Sequence, residues 1–395
     1  MTFGDIYRDK TVMVTGHTGF KGSWLSMWLC MLGAKVVGYS LKPDQVEDPC
    51  FTNPSHFTEL GLRHQIFSHV EKDVQSLHDL EKTINIYNPD FIFHLAAQPL
   101  VFRAYDEPHL TVKTNIIGTL NLLEAVRRKK KSCVLIMITT DKVYDNEEWI
   151  HSYRETDRLG GYDLYSASKT GAEILIKAYC HSFFDPIKNK SDGFAVGIAP
   201  VRGGNVIGGG DWADNRIVPD VMKSLVANEP LAIRNRQATR PWQHVLELLG
   251  GYLHLGSLIY QRLIEFLLGP VHYKGNALHE LKKVCSPFNF GPLITSNKPV
   301  GTLVEEIFKL WPGTIHDQTT NDNYQEANLL HLNIDKAYHF LGWKPKWNFE
   351  ETIYHTVTWY RQFYESGQNN PEFVKQLTQS QIQEYSKNLT FSVMY

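Results

Sequence analysis

Tyr165 and Lys169 are the pair in this chain best suited to move a proton. They stand four residues apart in Tyr165-Ser166-Ala167-Ser168-Lys169, and on a helix that spacing puts both side chains on one face. An ammonium beside a phenol favours the phenolate and is expected to lower the tyrosine pKa. A phenol tuned in this way can take a proton from a carbinol while hydride leaves the same carbon. No other tyrosine in the sequence has lysine four residues later. A second chemical set, Thr139-Thr140-Asp141-Lys142, directly follows the apolar run Val134-Leu135-Ile136-Met137-Ile138. Thr140 is placed to donate a hydrogen bond to a reacting oxygen. Asp141 and Lys142 read as an acid and a base for a further step; the plainer reading is an Asp-capped loop with a solvated lysine.

A third set is the glycine turn Gly16-His17-Thr18-Gly19-Phe20-Lys21-Gly22, after the apolar Val12-Met13-Val14. Gly16 can take a positive φ at a strand end. Gly19 lets the backbone approach a pyrophosphate, Gly22 lets a following helix pack on a sheet, and free N–H groups at that helix start attract the anion. The expected ligand is a dinucleotide. Its identity stays open: an acid ending the second strand would hold a ribose 2′-hydroxyl, and here Ser40-Leu41-Lys42 stands instead, so NAD is expected and NADP is not excluded. Asp73, followed by Val74, either meets the adenine amino group or caps the next helix.

These groups need elements that hold them. Short apolar runs at Thr11–Val14, Lys35–Tyr39, Phe91–Leu95, Val134–Ile138 and Phe194–Val201 read as buried strands. Lys21–Leu32, Leu77–Tyr87, Leu110–Arg128 and Tyr165–Phe184 read as helices, the first ended by Gly33. Strands alternating with helices imply an α/β, Rossmann-type, doubly wound parallel sheet. Gly16, Ala96-Ala97-Gln98 and Thr140 would then gather at the carboxyl ends of strands, where such sheets bind ligands. After about residue 200 regular alternation fades and aromatic residues, Gly and Pro become denser. The expectation is a dinucleotide domain over 1–200 and, interleaved with it, a smaller mixed nucleotide-sugar lobe over 201–395, with an added segment at 260–283 and a peripheral helix or tail at 370–395.

Bulk properties narrow the field. The 395 residues carry a net charge of −2, so no global field favours nucleic acid or a membrane surface. Five scattered cysteines show no metal or redox spacing. They fit a reducing cytoplasm, and no metal site is expected. The N-terminal stretch lacks the apolar core of a signal peptide. The basic run Arg127–Lys131 suits a helix C-terminus.

Taken together, TGHTGFKGSWLS, FHLAAQPLV, TTDKVY, GGYDLYSASK, GNVIGGGDW and RPWQHVLE resemble the extended short-chain dehydrogenase/reductase family of nucleotide-sugar enzymes, and within it the 4,6-dehydratases. The resemblance runs from about residue 5 to 350. It implies a tightly held NAD, CDP-glucose as substrate, and Thr140, Tyr165 and Lys169 as the oxidation site. It further implies Asp141 as the acid that protonates the leaving 6-hydroxyl. Lys142 stands where related enzymes carry a glutamate base. The product would be a 4-keto-6-deoxy sugar nucleotide of the kind used in deoxysugar and O-antigen synthesis. Asn205 and Arg240 match positions that hold the sugar diphosphate. Arg202, Arg216 and Arg234 are further substrate candidates, and Tyr324 matches a looser substrate segment. His17 is expected either to crowd the phosphates or to help bind them. A homodimer through the helices from Leu110 and Tyr165 is implied as well. The neighbouring possibility is a 4-epimerase or 4-reductase on another nucleotide sugar.

Overall fold

The computed structural model describes residues 2–43, 52–233, 235–269, 274–317, 329–387, 389 and 391. Its centre is a seven-stranded sheet. The strands are Thr11–Thr15 (β1), Lys35–Ser40 (β2), Ser68–Glu71 (β3), Phe91–His94 (β4), Cys133–Ile138 (β5), Val196–Gly203 (β6) and Phe288–Phe290 (β7). Their spatial order is β7-β6-β5-β4-β1-β2-β3, and every neighbouring pair is parallel. Strands covered on both faces must be apolar throughout, and β5 (CVLIMI) is buried at all six positions.

The principal helices are Phe20–Met31 (α1), Leu77–Tyr87 (α2), Gly118–Lys129 (α3), Leu164–Ser182 (α4), Ile217–Ala227 (α5), Val245–Leu268 (α6), Lys274–Val284 (α7), Phe349–Gln362 (α8) and Pro371–Ser386 (α9). The helix expected from Leu110 begins earlier, at Pro108, and passes through a π turn at Lys113–Ile117 before continuing as α3. Trp24, Leu25, Met27, Trp28 and Leu29 of α1 are all buried. A helix apolar on every side must be covered on every side: α1 packs on the sheet and is covered by α6 and α9.

The chain beyond residue 203 returns to the sheet. It supplies β7, and α6 packs against β5 and β6. Three two-stranded ladders join the helices of the lobe: Val206–Ile207 with Gln243–His244, Thr239–Pro241 with Asn297–Pro299, and Leu231–Ile233 with Ile315–Asp317. Residues 260–268 are the last turns of α6, and α7 folds back on them, with Leu263, Phe266 and Leu281 buried. The C-terminal stretch forms α9. Pro371 stands in its first turn and the Asn370 side chain accepts from the Phe373 N–H. Far from peripheral, α9 buries Val374, Thr378, Ile382 and Tyr385.

A buried carboxylate locks α9 in place. Glu247 accepts from the Lys346 and Trp347 N–H groups, and from the Tyr385 phenol at 2.8 Å. Burial outweighs these donors and pushes its pKa from the ordinary 4.5 up to about 7. The folded chain therefore binds the Glu247 proton more tightly than the unfolded chain does. The stabilisation from this group is full below pH 4.5 and is lost as pH rises through about 7. Glu247→Gln, which carries no titrating proton, is expected to flatten the fall in urea midpoint between acid and neutral pH; an unchanged pH slope would refute the assignment.

Candidate active site

The catalytic candidates converge where the chain leaves the sheet in two directions. Gly16 follows β1 with φ +72°, and a side chain there would meet the Ala96 nitrogen at 2.8 Å. The ends of β1 and β4 are thus held as close as glycine permits. A Cβ on Gly22 would stand 2.1 Å from the Gly16 oxygen, so Gly22 is demanded by the fold of the turn itself. Gly19, the residue before α1, offers no side-chain cap to the helix. The first N–H groups of α1, from Phe20 onward, therefore point to whatever lies beyond the helix end. At the end of β2 the Ser40 and Thr18 hydroxyls pair at 2.7 Å. This cradle fits a dinucleotide: an uncapped helix terminus for the pyrophosphate, small residues at the close approach, and hydroxyls beside a ribose position.

Thr140, Asp141 and Tyr165 come together at the end of β5. Thr140 donates to Asp141 Oδ1 at 3.0 Å, and both groups act on the Tyr165 phenol. All three are buried. Burial raises the Asp141 pKa above the ordinary carboxylate value, against the opposing pull of Lys142, Thr140, Lys21 and Arg240. Asp141 is therefore biased toward the protonated form that an acid requires. Lys142 lies beside it, half-buried, with its N–H directed to Thr140 Oγ1.

The phenol itself departs from expectation. Burial pushes the Tyr165 pKa up to about 12, with Asp141 adding to the rise and Thr140 and Arg216 opposing it. Lys169 moves the other way, to about 8, by burial first and then by the Lys21 charge. Desolvation disfavours each charged form and overrides the lowering inferred from the four-residue spacing.

The helix carrying Tyr165 and Lys169 is fixed from two sides. On one side Asn115, in the π turn, donates to Ser168 Oγ at 2.9 Å, and Ser168 donates to the Tyr165 carbonyl at 2.7 Å. On the other, Glu173 accepts from Thr139 at 2.6 Å and from Arg202 Nε at 2.9 Å. Glu173 thereby ties α4 to the strand end that presents Thr140 and to β6. Lys21 extends from the glycine turn toward this centre, where Asp141, Asp211 and Arg216 all act on its charge. Arg216 also donates to Asp211 at 3.0 Å.

Several expected contacts are corrected. The His17 ring turns away from the phosphate position. It is fully buried against Gly38, where a Cβ would meet it at 2.2 Å, and shares a 2.7 Å hydrogen bond with His69. Only its main chain remains for the turn. Burial lowers its pKa to about 3, so it brings no charge to a phosphate. The Gln98 side chain is occupied locally: its amide donates to Thr111 at 2.8 Å and its carbonyl accepts from the Leu100 N–H at 2.6 Å. Arg202 is 2% exposed and holds Glu173 and the Tyr144 hydroxyl, which removes it from the substrate candidates. Asp73 accepts from the Gln75 backbone and side chain, while Ser76 caps α2.

Val74 is buried against Gly118. Ala96 and Ala97 are half-buried at the end of β4. Asn205 lies half-buried just past β6, and Arg240 sits on the Thr239–Pro241 ladder opposite Lys298. Arg234 and Tyr324 lie outside the described residues. Among the described residues no cluster of His, Cys, Asp or Glu is arranged to hold a metal. Glu173 and Asp211 escaped the sequence reading. Glu173 lies one helical turn beyond Lys169, a signal visible only once Arg202 is known to face it.

The sheet order, the glycine cradle and the Thr-Asp-Tyr-Lys cluster define a dinucleotide-fold enzyme of the nucleotide-sugar type. The family described as GDP-mannose 4,6 dehydratase matches residues 13–256. The chain is 40% identical to CDP-glucose 4,6-dehydratase of Salmonella typhimurium over 90% of this chain and 92% of that one. It is 24% identical to dTDP-glucose 4,6-dehydratase of Neisseria gonorrhoeae, across 89% and 95% of the two chains. The solved structure of dTDP-glucose 4,6-dehydratase from Bacillus anthracis, a complex with NAD, superposes with a TM-score of 0.68 at 22% identity and covers 93% of this chain and 99% of that one. The chain belongs to the 4,6-dehydratase family.

The Glu173–Arg202 pair supplies a test of the scaffold. Breaking a buried ion pair strands the remaining charge, so Glu173→Gln should cost about 3 kcal/mol in urea unfolding. The double variant Glu173→Leu, Arg202→Met should recover at least half of that loss. A single variant as stable as the wild type would remove the anchoring role.

Proposed function

We propose that the chain is a hydro-lyase that converts CDP-glucose to CDP-4-keto-6-deoxyglucose. The observation that carries this reading is Asp141, a buried carboxyl that accepts from Thr140, is biased toward protonation and acts on the charge of the Tyr165 phenol. An epimerase or reductase acting only at carbon 4 needs no such acid. The 40% identity to a CDP-glucose 4,6-dehydratase along nearly the whole chain supports the choice of substrate.

NAD, when bound, would supply the acceptor for hydrogen from carbon 4 and the donor that returns it at carbon 6. The main chain of Gly16, Gly19, Phe20, Lys21 and Gly22 would hold its pyrophosphate. Ser40, Asp73 and Val74 would face the adenosine half, and Ala96 and Ala97 would line the crevice. Tyr165, as its phenolate, is assigned removal of the sugar 4-hydroxyl proton, with Thr140 hydrogen-bonded to the same oxygen. Burial alone holds the phenol up at about 12, so the positive charge of the Lys169 ammonium and of bound NAD would be needed to lower it. The ketone at carbon 4 acidifies the hydrogen on carbon 5. Lys142, as its neutral amine, is then assigned removal of that proton while Asp141 protonates the departing 6-hydroxyl, which leaves as water. Asn205, Arg216 and Arg240 are assigned the substrate diphosphate, for which the planar guanidinium fork is apt.

A homodimer is part of this reading. Ile117, at the end of the π turn before α3, and Ile174 and Phe183, along and just past α4, are exposed at 39%, 57% and 44%, a pattern suited to burial against a second copy. Among the described residues no helix is long and apolar enough to cross a membrane; a cytoplasmic setting is inferred from the cysteine usage.

Purified protein given CDP-glucose and NAD, without any reductant, is expected to yield a 4-keto-6-deoxy product. An unchanged or 4-epimerised sugar would refute the assignment. Asp141→Asn should retain nucleotide-sugar binding and lose about 100-fold or more in turnover, the range of a general acid; wild-type turnover in that variant would strip Asp141 of its role. The required acid is protonated Asp141, so kcat should fall as pH rises through its elevated pKa.

A further inference from the structure

The glycine run Gly208-Gly209-Gly210 leaves room for two aromatic side chains. A Cβ on Gly209 would stand 2.0 Å from the Trp359 ring, and one on Gly210 would stand 2.4 Å from the His56 ring. Those rings belong to one continuous buried hydrogen-bond chain. Trp359 Nε1 donates to Thr378 Oγ1 at 3.1 Å. Thr378 Oγ1 and His56 Nε2 are 3.4 Å apart, and His56 Nδ1 lies 2.7 Å from Ser23 Oγ. Ser23 donates to the Phe20 carbonyl at 2.8 Å.

The direction of every proton follows from chemistry. The indole N–H can only donate, so Thr378 accepts from Trp359 and spends its own proton on His56 Nε2. Ser23 spends its proton on Phe20, so His56 must donate to it from Nδ1. The imidazole stays neutral because burial lowers its pKa to about 3. The chain starts on α8, crosses α9 and ends in the first turn of α1. Ser23, His56, Trp359 and Thr378 are all at most 2% exposed.

We propose that Thr378 and His56 are positioning residues for the dinucleotide: through this hydrogen-bond chain, α9 fixes the N-terminal turn of α1 that receives the pyrophosphate. The inference rests on the NAD reading above. It gives the C-terminal helix a role in cofactor affinity that acts through α1.

The test is equilibrium titration of the whole protein with NAD, with amide exchange at Gly19–Ser23 followed in parallel. Thr378→Val keeps the shape and deletes the hydroxyl; it should weaken NAD binding about fivefold, the weight of one buried hydrogen bond. It should also speed exchange in that turn while leaving kcat at saturating NAD unchanged. Thr378→Ser should restore the wild-type constant. Trp359→Phe keeps an aromatic ring near Gly209 and removes the N–H along with part of the ring volume, so it reads out the same chain by a second route should the valine variant fail to fold. Folded variants that bind NAD with the wild-type constant overturn the proposal. A wild-type protein that binds no NAD overturns the cofactor reading instead, and this inference with it.

Discussion

The site depends on Glu173, a carboxylate buried between three elements. It accepts from Thr139 at the end of β5 and from Arg202 on β6, while its own backbone belongs to α4. That junction, with Thr170 Oγ1 donating to the Val143 carbonyl at 3.1 Å, gives the loop bearing Thr140 and Asp141 and the helix bearing Tyr165 and Lys169 a common reference. A buried ion pair adds little net stability compared with an apolar pair of the same volume. What it does here is set a register: the bidentate guanidinium fork and the threonine hydroxyl leave one geometry in which all donors are satisfied. The cost of burying charge is spent on the relative position of two catalytic segments.

Desolvation is the second governing effect. It raises Asp141 and Tyr165 and lowers Lys21 and Lys169. Each shift favours the neutral form, although Lys21 and Lys169, lowered only to about 8, still carry their protons at neutral pH. A second step, elimination of water, needs an acid that is still protonated where ordinary carboxyls are not. Burial provides this for Asp141 without a special neighbour. Lys169 remains the partner of Tyr165 by helix geometry, but burial governs both pKa values more than their mutual attraction does.

Much of the fold was legible in the sequence because parallel strands buried on both faces read as short apolar runs. The five runs recognised as strands, from Thr11–Val14 to Phe194–Val201, and the four helices between them correspond to observed elements within a few residues. Strand β3 (SHVE) is half-exposed at the sheet edge, and β7 has only three residues; neither leaves a periodic signal. The glycine turn was readable because each glycine answers a local steric demand. Partner choice over long separations was not. Arg202 resembles a substrate arginine until Glu173 is seen beside it, and His17 resembles a phosphate ligand until Gly38 opens space for its ring on the opposite side. The pKa of Tyr165 failed for a related reason, since spacing reports neighbours along a helix but not the depth of burial.

The central claim is that hydrogen lifted from carbon 4 of the sugar returns to carbon 6 of the product. CDP-glucose carrying deuterium at carbon 4 tests this directly. The account predicts that NMR of the product will place the deuterium on the new methyl group at carbon 6. Deuterium still at carbon 4, or absent from the methyl group of the 4-keto-6-deoxy product, would contradict it.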